Sequence, residues 1–133
     1  MDPRIQRALE IDRIVDITTI GRTTGRPRRI EMRCHNVGGQ LFLTGTPGIR
    51  GWYANLLAHP EFVLHLKGHV RADLRARAAA VVEPTQRRAI LSRLLDRRAR
   101  ANELEAWIRE SPLATVTILE AKGGSGSGRP PAR

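Results

Sequence analysis

The sequence predicts a mainly β protein with a few helices, built as a six-stranded antiparallel barrel. Three observations lead to this fold class. Six segments have strand-like alternation or a high content of β-branched residues. Most of them follow one another through connections too short for a crossover helix, which favours antiparallel pairing. The chain has 133 residues, of which 41% are hydrophobic, so one domain with a modest core is expected.

The first half of the chain is predicted to supply one helix and three strands. Asp2 is a suitable N-cap, and Pro3 suits the first turn of a helix over residues 3–14. The next segment is rich in β-branched residues, and the one after it alternates between apolar and charged residues. The Gly38-Gly39 pair then predicts a hairpin. The three predicted strands cover Ile14–Ile20, 29–37 and Gln40–Thr44.

The second half is predicted to supply two helices and three strands. A short helix ends at His59-Pro60, because a residue before proline disfavours the helical conformation. Apolar residues alternate in the next two strands, and periodic leucines and isoleucines then predict one long helix. The predicted helices cover Trp52–Ala58 and Thr85–Arg109, and the predicted strands cover Glu61–Lys67, Val70–Val82 and Leu113–Leu119. Residues 1–120 thus form one predicted domain, and the Gly/Ser/Pro-rich residues 121–133 a disordered tail.

The formal charge of +10 raises the question of a polyanionic partner. Arginine accounts for nearly all of the 23 basic residues, since only Lys67 and Lys122 are lysines. The arginines are spread from Arg4 to Arg133, and aromatic residues make up only 4% of the chain, which leaves little for base stacking. No dedicated nucleic-acid site is predicted, and solvated surface arginines are the alternative interpretation of the charge.

The cellular location follows from three features of the sequence. No segment approaches the run of about 20 apolar residues that a membrane span needs. The N-terminus lacks the apolar stretch of a signal peptide. The single cysteine, Cys34, excludes an internal disulfide and fits a reducing compartment. We therefore expect a cytoplasmic protein, with Cys34 as a core residue.

Metal binding and nucleophilic catalysis are not predicted. His65 and His69 flank Gly68, so they lack the helical spacing of a metal-binding pair, and each is expected at the surface. Cys34 and His35 are neighbours on a strand and point to opposite faces, which prevents a nucleophile–base pair. The sequence has neither a serine nucleophile elbow nor a Gly-rich dinucleotide motif. No catalytic residue is assigned.

Two loops carry the strongest signals for a ligand. Gly21–Arg29 contains four arginines, two threonines and two glycines, a combination suited to phosphate, although a solvated turn is an equal alternative. Gly45–Asn55 leads into the start of a helix, which favours anions. There Trp52 can pack against a planar ring, and the Asn55 amide can donate and accept at a ring edge. The alternative is that Trp52 only docks the helix on the barrel.

Together the two loops resemble the deazaflavin-dependent nitroreductases, within the flavin-binding split-barrel superfamily. The matching motifs are Thr-Thr-Ile-Gly-Arg-Thr-Thr-Gly-Arg-Pro-Arg at 18–28 and Trp-Tyr-Ala-Asn-Leu-Leu-Ala-His-Pro at 52–60. The similarity extends from about Asp16 to about Leu66. This resemblance implies a split barrel of the FMN-binding type that binds coenzyme F420, with FMN as the alternative cofactor.

The resemblance also implies the positions of the site residues. The phosphate end would lie near Arg22, Thr23, Thr24, Gly25 and Arg28; the ring near Thr44, Gly45, Thr46 and Gly48; and Trp52 and Asn55 would flank ring and tail. Many family members carry lysine where this chain has Thr23 and Pro47. These departures leave the choice between deazaflavin and flavin open.

The implied function is that of an oxidoreductase. It would pass hydride from reduced deazaflavin to a small organic acceptor, such as a quinone, an activated alkene or a nitro compound. Two alternatives remain open at this point: an F420- or FMN-binding carrier or sensor without turnover, and a basic anion or nucleic-acid binder. Partners are therefore expected to be small molecules, and a homodimer is left open.

Overall fold

The structure, a computed structural model, describes residues 1–95 and 101–123. Its strands are β1 Ile14–Ile20, β2 Pro27–Val37, β3 Gln40–Thr44, β4 Glu61–Lys67, β5 Arg71–Ala80 and β6 Leu113–Gly123. Its helices are α1 Pro3–Ile11, α2 Gly51–Ala58, α3 Pro84–Leu94 and α4 Ala101–Glu110. The strands form a closed barrel in the order β1-β2-β3-β6-β5-β4, with every pair antiparallel. This confirms the predicted fold class.

The barrel closes where β4 pairs with β1, for example at Val15 and Leu66. Strand β6 lies between β3 and β5, so Val116 is paired with Leu41 on one side and with Ala78 on the other. A register shift between Arg75 and Ala76 marks an irregularity in the pairing of β5 with β6. The last described strand therefore completes a sheet that the earlier strands leave open.

The core fills the barrel through alternating inward side chains. Val15, Ile17, Leu64 and Leu74 are fully buried. Helix α1 contributes Ile5, Ala8 and Leu9 to the same core cluster, and the Asp2 carboxylate caps this helix by accepting a 2.8 Å bond from the Arg4 N–H.

Among the described residues, no helix has the length and apolar character that crossing a membrane requires.

Two helices, α3 and α4, stand where one long helix over Thr85–Arg109 is predicted. Helix α3 ends at Leu94, because Leu95 adopts an extended conformation. The break lets apolar residues of both helices join one cluster beside the barrel. A continuous helix of that length would extend about 37 Å and carry its second half away from this cluster. The prediction of a single helix is therefore wrong.

A buried arginine joins the two helices. Arg87 of α3 is 7% exposed. Its guanidinium donates to the carbonyl oxygens of Ile108 at 2.6 Å, Val81 at 2.8 Å, Trp107 at 3.1 Å and Ser111 at 2.6 Å. The Trp107 and Ile108 oxygens belong to the last turn of α4, where helix carbonyls begin to lack partners within the helix, and the Ser111 oxygen follows directly after it. Arg87 therefore caps α4 from its neighbour.

Two further expectations differ from the structure. Strand β6 continues to Gly123, which pairs with Ala72. It therefore runs past position 121, where the tail was predicted to begin; residues 124–133 of that tail lie outside the described residues.

His65, expected at the surface, is 8% exposed. Its ring nitrogens contact Thr18 Oγ1 and Asp73 Oδ1, each at 2.7 Å, because these residues sit on the neighbouring strands.

Cys34 is buried, as predicted, and should be chemically inert in the folded protein. It is 5% exposed, and burial raises the pKa of its thiol to about 12. Since the thiolate is the reactive form, only about one thiol in ten thousand is ionised at pH 8. We expect the native protein to resist an aromatic disulfide reagent and the urea-unfolded protein to react at once. Rapid labelling of the native protein would contradict this prediction.

Candidate functional site

The Gly21–Arg29 turn is folded tightly on itself. The Gly21 N–H donates to the Arg26 carbonyl at 2.8 Å, and the Gly25 N–H donates to the Gly21 carbonyl at 2.8 Å. Gly25 has a φ of +69°, and a Cβ at Gly21 would overlap the Thr24 hydroxyl. Glycine is required at both positions, because other residues would strain or block this closure.

Asn55 of α2 ties the turn to the barrel. It is 7% exposed, and its Oδ1 accepts from the Arg22 N–H at 3.0 Å and from Arg22 Nη1 at 3.1 Å. Its Nδ2 donates to Thr19 Oγ1 at 3.2 Å, and Thr19 is 1% exposed at the end of β1. One amide therefore fixes both the backbone and the guanidinium of Arg22.

A cavity of about 340 Å³, called the turn cavity below, lies between the turn and α2. Its lining carries cationic and hydroxyl donors and contains no carboxylate. These groups match the donors that phosphate oxygens accept from. The lining residues are Thr19, Gly21, Arg22, Thr23, Thr24, Arg28, Ile30, Gly51, Trp52 and Asn55.

The four arginines of the turn have different surroundings. Arg22 and Arg28 line the turn cavity, whereas Arg26 does not. Arg29 points elsewhere, since its Nε donates to Asp16 Oδ2 at 3.0 Å. Hydrogen bonds from Lys67 and then Arg29 lower the pKa of the Asp16 carboxyl. Two guanidinium groups therefore remain for a ligand in the cavity.

The second predicted loop is anchored away from the turn cavity. The Gly48 N–H donates to the Glu110 carbonyl at 3.1 Å, and Gly48 has a φ of +133°. Thr44 Oγ1 donates to the Pro112 carbonyl at 2.7 Å. Arg50 Nη2 donates to the Thr46 carbonyl at 3.0 Å and to the Thr46 hydroxyl. The loop is therefore attached to the junction of α4 and β6.

A larger cavity of about 660 Å³, called the cleft below, lies between this loop, α2 and the α4–β6 junction. Helix α2 separates it from the turn cavity. Gly51, Trp52 and Asn55 face the turn cavity, and Tyr53, Ala54 and Leu57 line the cleft. The helical period of 3.6 residues produces this division of the two faces.

The structure brings together part of the predicted site. Arg22, Thr23, Thr24, Arg28, Trp52 and Asn55 all line the turn cavity. Gly25 shapes the turn without lining that cavity, Gly48 lines the cleft, and Thr44, Gly45 and Thr46 line neither cavity. Asn55 makes its hydrogen bonds to the protein's own residues, which indicates a positioning role.

Sequence reasoning missed Thr19, Gly21, Ile30 and Gly51 as lining residues. A signal for Thr19 was present in the alternation of β1. Val15, Ile17 and Thr19 are all buried on one face of that strand, so a polar residue stands in an apolar row. Such a hydroxyl needs a partner when buried, and Asn55 supplies it.

Comparisons with known proteins agree with this fold. A family model described as F420H(2)-dependent quinone reductase matches residues 2–103. The sequence has no significant match among curated proteins.

Solved structures share the architecture at low sequence identity. A conserved hypothetical protein from Mycobacterium tuberculosis has a TM-score of 0.69 and 14% identity, covering 100% of this chain and 91% of its own. A protein described as F420 reductase has a TM-score of 0.64 and 17% identity, covering 88% and 94%. An FAD-binding protein from Mesorhizobium loti has a TM-score of 0.57 and 15% identity, covering 86% and 87%. At these identities the likeness establishes the fold alone.

Proposed function

This chain belongs to the F420H(2)-dependent quinone reductase family and is an F420-dependent oxidoreductase; we propose that its turn cavity holds the phosphate-bearing part of F420. The observation that carries this proposal is the pair of guanidinium groups, Arg22 and Arg28, in a cavity lined without a carboxylate. Within the described part of the chain, Arg28 has no acidic partner. Its charge is therefore available to an anion.

The residues that line the turn cavity fit the phosphate-bearing part of F420. Arg22 and Arg28 supply charged donors, and a guanidinium can hold two phosphate oxygens through parallel bonds. Thr24 Oγ1 accepts from the Arg26 N–H at 3.2 Å, so its own proton remains free to be donated into the cavity. Trp52 and Ile30 supply apolar wall. When bound, F420 supplies the hydride chemistry, and the protein supplies binding and orientation.

The acceptor is proposed to be a quinone-type compound, in keeping with the family description. Nitro compounds and activated alkenes are alternative acceptors that the sequence also suggests. We propose the cytoplasm as the site of action, since the lone Cys34 fits a reducing compartment.

The proposal is tested by titrating the purified chain with F420 and with FMN while following cofactor fluorescence. We expect saturable F420 binding, and oxidation of reduced F420 when a soluble naphthoquinone is added. Preference for FMN would contradict the cofactor assignment. Binding of F420 without acceptor-dependent oxidation would instead indicate a carrier or sensor.

Replacing Arg22 or Arg28 by alanine tests the placement of the phosphate. Each change is expected to weaken F420 binding by about 1–3 kcal/mol, because a charge-assisted hydrogen bond is lost. Arg33→Ala is the matched control, since Arg33 lies five residues beyond Arg28 on β2 and outside the cavity lining. Dissociation constants that stay equal in all three variants would refute the placement.

A further inference from the structure

The cleft behind α2 is a cavity that the cofactor proposal leaves without a role. Its volume of about 660 Å³ is sufficient for a small organic ring compound. Helix α2 is a shared wall, with one face in the turn cavity and the other, at Tyr53, Ala54 and Leu57, in the cleft. A ligand in the cleft would therefore lie one helix width from the turn cavity.

The mouth of the cleft carries exposed aliphatic residues. Ile49 is 95% exposed, Val82 is 74% exposed and Leu57 is 58% exposed, and all three line the cleft. A ligand that covers these side chains gains binding free energy, because large aliphatic groups at a cavity mouth otherwise expose apolar area to water. Three cationic side chains and one carboxylate also line the cleft, and this excess of charged donors favours a ligand with acceptor oxygens over a cation; the residues are Arg50, Arg87, Arg109 and Glu110.

Ser111 supplies an unused polar group in the cleft wall. It is 4% exposed, and its Oγ has no hydrogen-bond partner among the described residues. Its backbone is fixed, because its N–H donates to the Trp107 carbonyl at 3.0 Å and its carbonyl accepts from Arg87 Nη2 at 2.6 Å. A buried hydroxyl without a partner is costly, so a ligand that accepts its proton gains affinity.

Three other polar side chains of the cleft already donate hydrogen bonds to the protein. The Tyr53 hydroxyl donates to the Leu113 carbonyl at 3.3 Å, and Arg50 donates to Thr46 and Ile49. Arg87 gives its protons to four carbonyls. The ligand suited to the aliphatic wall and to Ser111 is largely apolar, with an oxygen that accepts one hydrogen bond.

We infer that the cleft is the acceptor site and that Ser111 Oγ donates a hydrogen bond to a carbonyl oxygen of a quinone. A quinone ring is planar and largely apolar, and its carbonyl oxygens accept hydrogen bonds without donating any. Ser111 thereby distinguishes ring compounds with a carbonyl from those without one. The inference deepens the proposed function and rests on it for the identity of the acceptor.

The test is a titration of the ¹⁵N-labelled full chain with 2-methyl-1,4-naphthoquinone, with and without oxidised F420. Oxidised F420 carries no hydride to give, so binding is observed without turnover. We expect amide shifts at Ile49, Tyr53 and Ser111 and none at Arg22 or Arg28. Shifts confined to the turn cavity would overturn the inference.

Two variants and a second ligand make the test specific. Ser111→Ala should weaken naphthoquinone binding about three- to tenfold and leave 2-methylnaphthalene, which lacks carbonyls, unchanged. Val82→Ser should weaken both ligands, because it removes exposed apolar wall without affecting the core. Neither variant should alter the F420 dissociation constant, since neither residue lines the turn cavity.

Equal naphthoquinone affinity in Ser111→Ala and wild type would overturn the role of Ser111. The outcomes also separate the two proposals. Absence of F420 binding refutes the cofactor proposal while cleft shifts with naphthoquinone still support the site. Normal F420 binding without cleft shifts refutes the acceptor site alone.

Discussion

Replacing Arg87 by alanine is expected to lower the free energy of unfolding by about 3–5 kcal/mol, the largest effect of any single change considered for stability. The Arg87 side chain is 7% exposed, and replacing it removes the four hydrogen bonds that its guanidinium donates. The substitution removes the guanidinium donors from the carbonyls at the C-terminal end of α4 and opens a cavity between the helices. Urea unfolding followed by tryptophan fluorescence measures the change.

Arg88 provides the matched control, because it is the next residue on α3 and is exposed. Its guanidinium pairs with Glu105 at 2.8 Å and 3.1 Å, and such surface pairs contribute little. Arg88→Ala should leave the urea midpoint nearly unchanged. The urea midpoint of Arg87→Lys should lie between those of Arg87→Ala and Arg88→Ala, since an ammonium has three donors for four carbonyls. Equal midpoints for the Arg87→Ala and Arg88→Ala variants would show that Arg87 does not hold α4.

Asn55→Asp is expected to have the largest effect on cofactor binding. The carboxylate still accepts both bonds from Arg22, and the Thr19 hydroxyl can donate to it in place of the lost amide. The fold should therefore persist. A negative charge beside Arg22 cancels its attraction for phosphate, which we expect to weaken F420 binding by about 2–3 kcal/mol, or about 30- to 150-fold.

The control places the same charge on the other face of the helix. Ala54 precedes Asn55 and lines the cleft instead of the turn cavity, so Ala54→Asp should weaken F420 binding much less. The salt dependence of the two dissociation constants adds a second measurement, since the repulsion in Asn55→Asp should diminish as salt rises. Equal affinity losses in the two variants would contradict the placement of phosphate beside Arg22.

The barrel was predictable because its strands alternate and its connections are short. The bounds Ile14–Ile20, Gln40–Thr44 and Glu61–Lys67 match the structure, since β-branched runs and glycine or proline punctuation act locally. The break between α3 and α4 was not predictable in this way. It depends on Arg87 and on a shared apolar cluster, which are tertiary contacts that no helical period reveals.

The site was predictable in composition and only partly in geometry. Glycine, threonine and arginine in one turn indicated an anion, and Arg22, Thr23, Thr24 and Arg28 do line one cavity. The contacts of the Asn55 amide and the lack of a partner for Ser111 Oγ could not be predicted from the sequence. Whether an amide faces a ligand or another side chain, and whether a hydroxyl lacks a partner, is decided by contacts between segments far apart in the chain.

The position of β6 between β3 and β5 has a consequence for synthesis on the ribosome. The strands emerge in chain order, so β3 and β5 are complete while residues 113–123 are still in the exit tunnel. Until then each of the two strands has an unpaired edge, and such edges can pair with other chains. Final closure depends on contacts between distant segments, which form slowly. In the nascent chain, the edges of β3 and β5 therefore stay exposed until β6 is released from the tunnel.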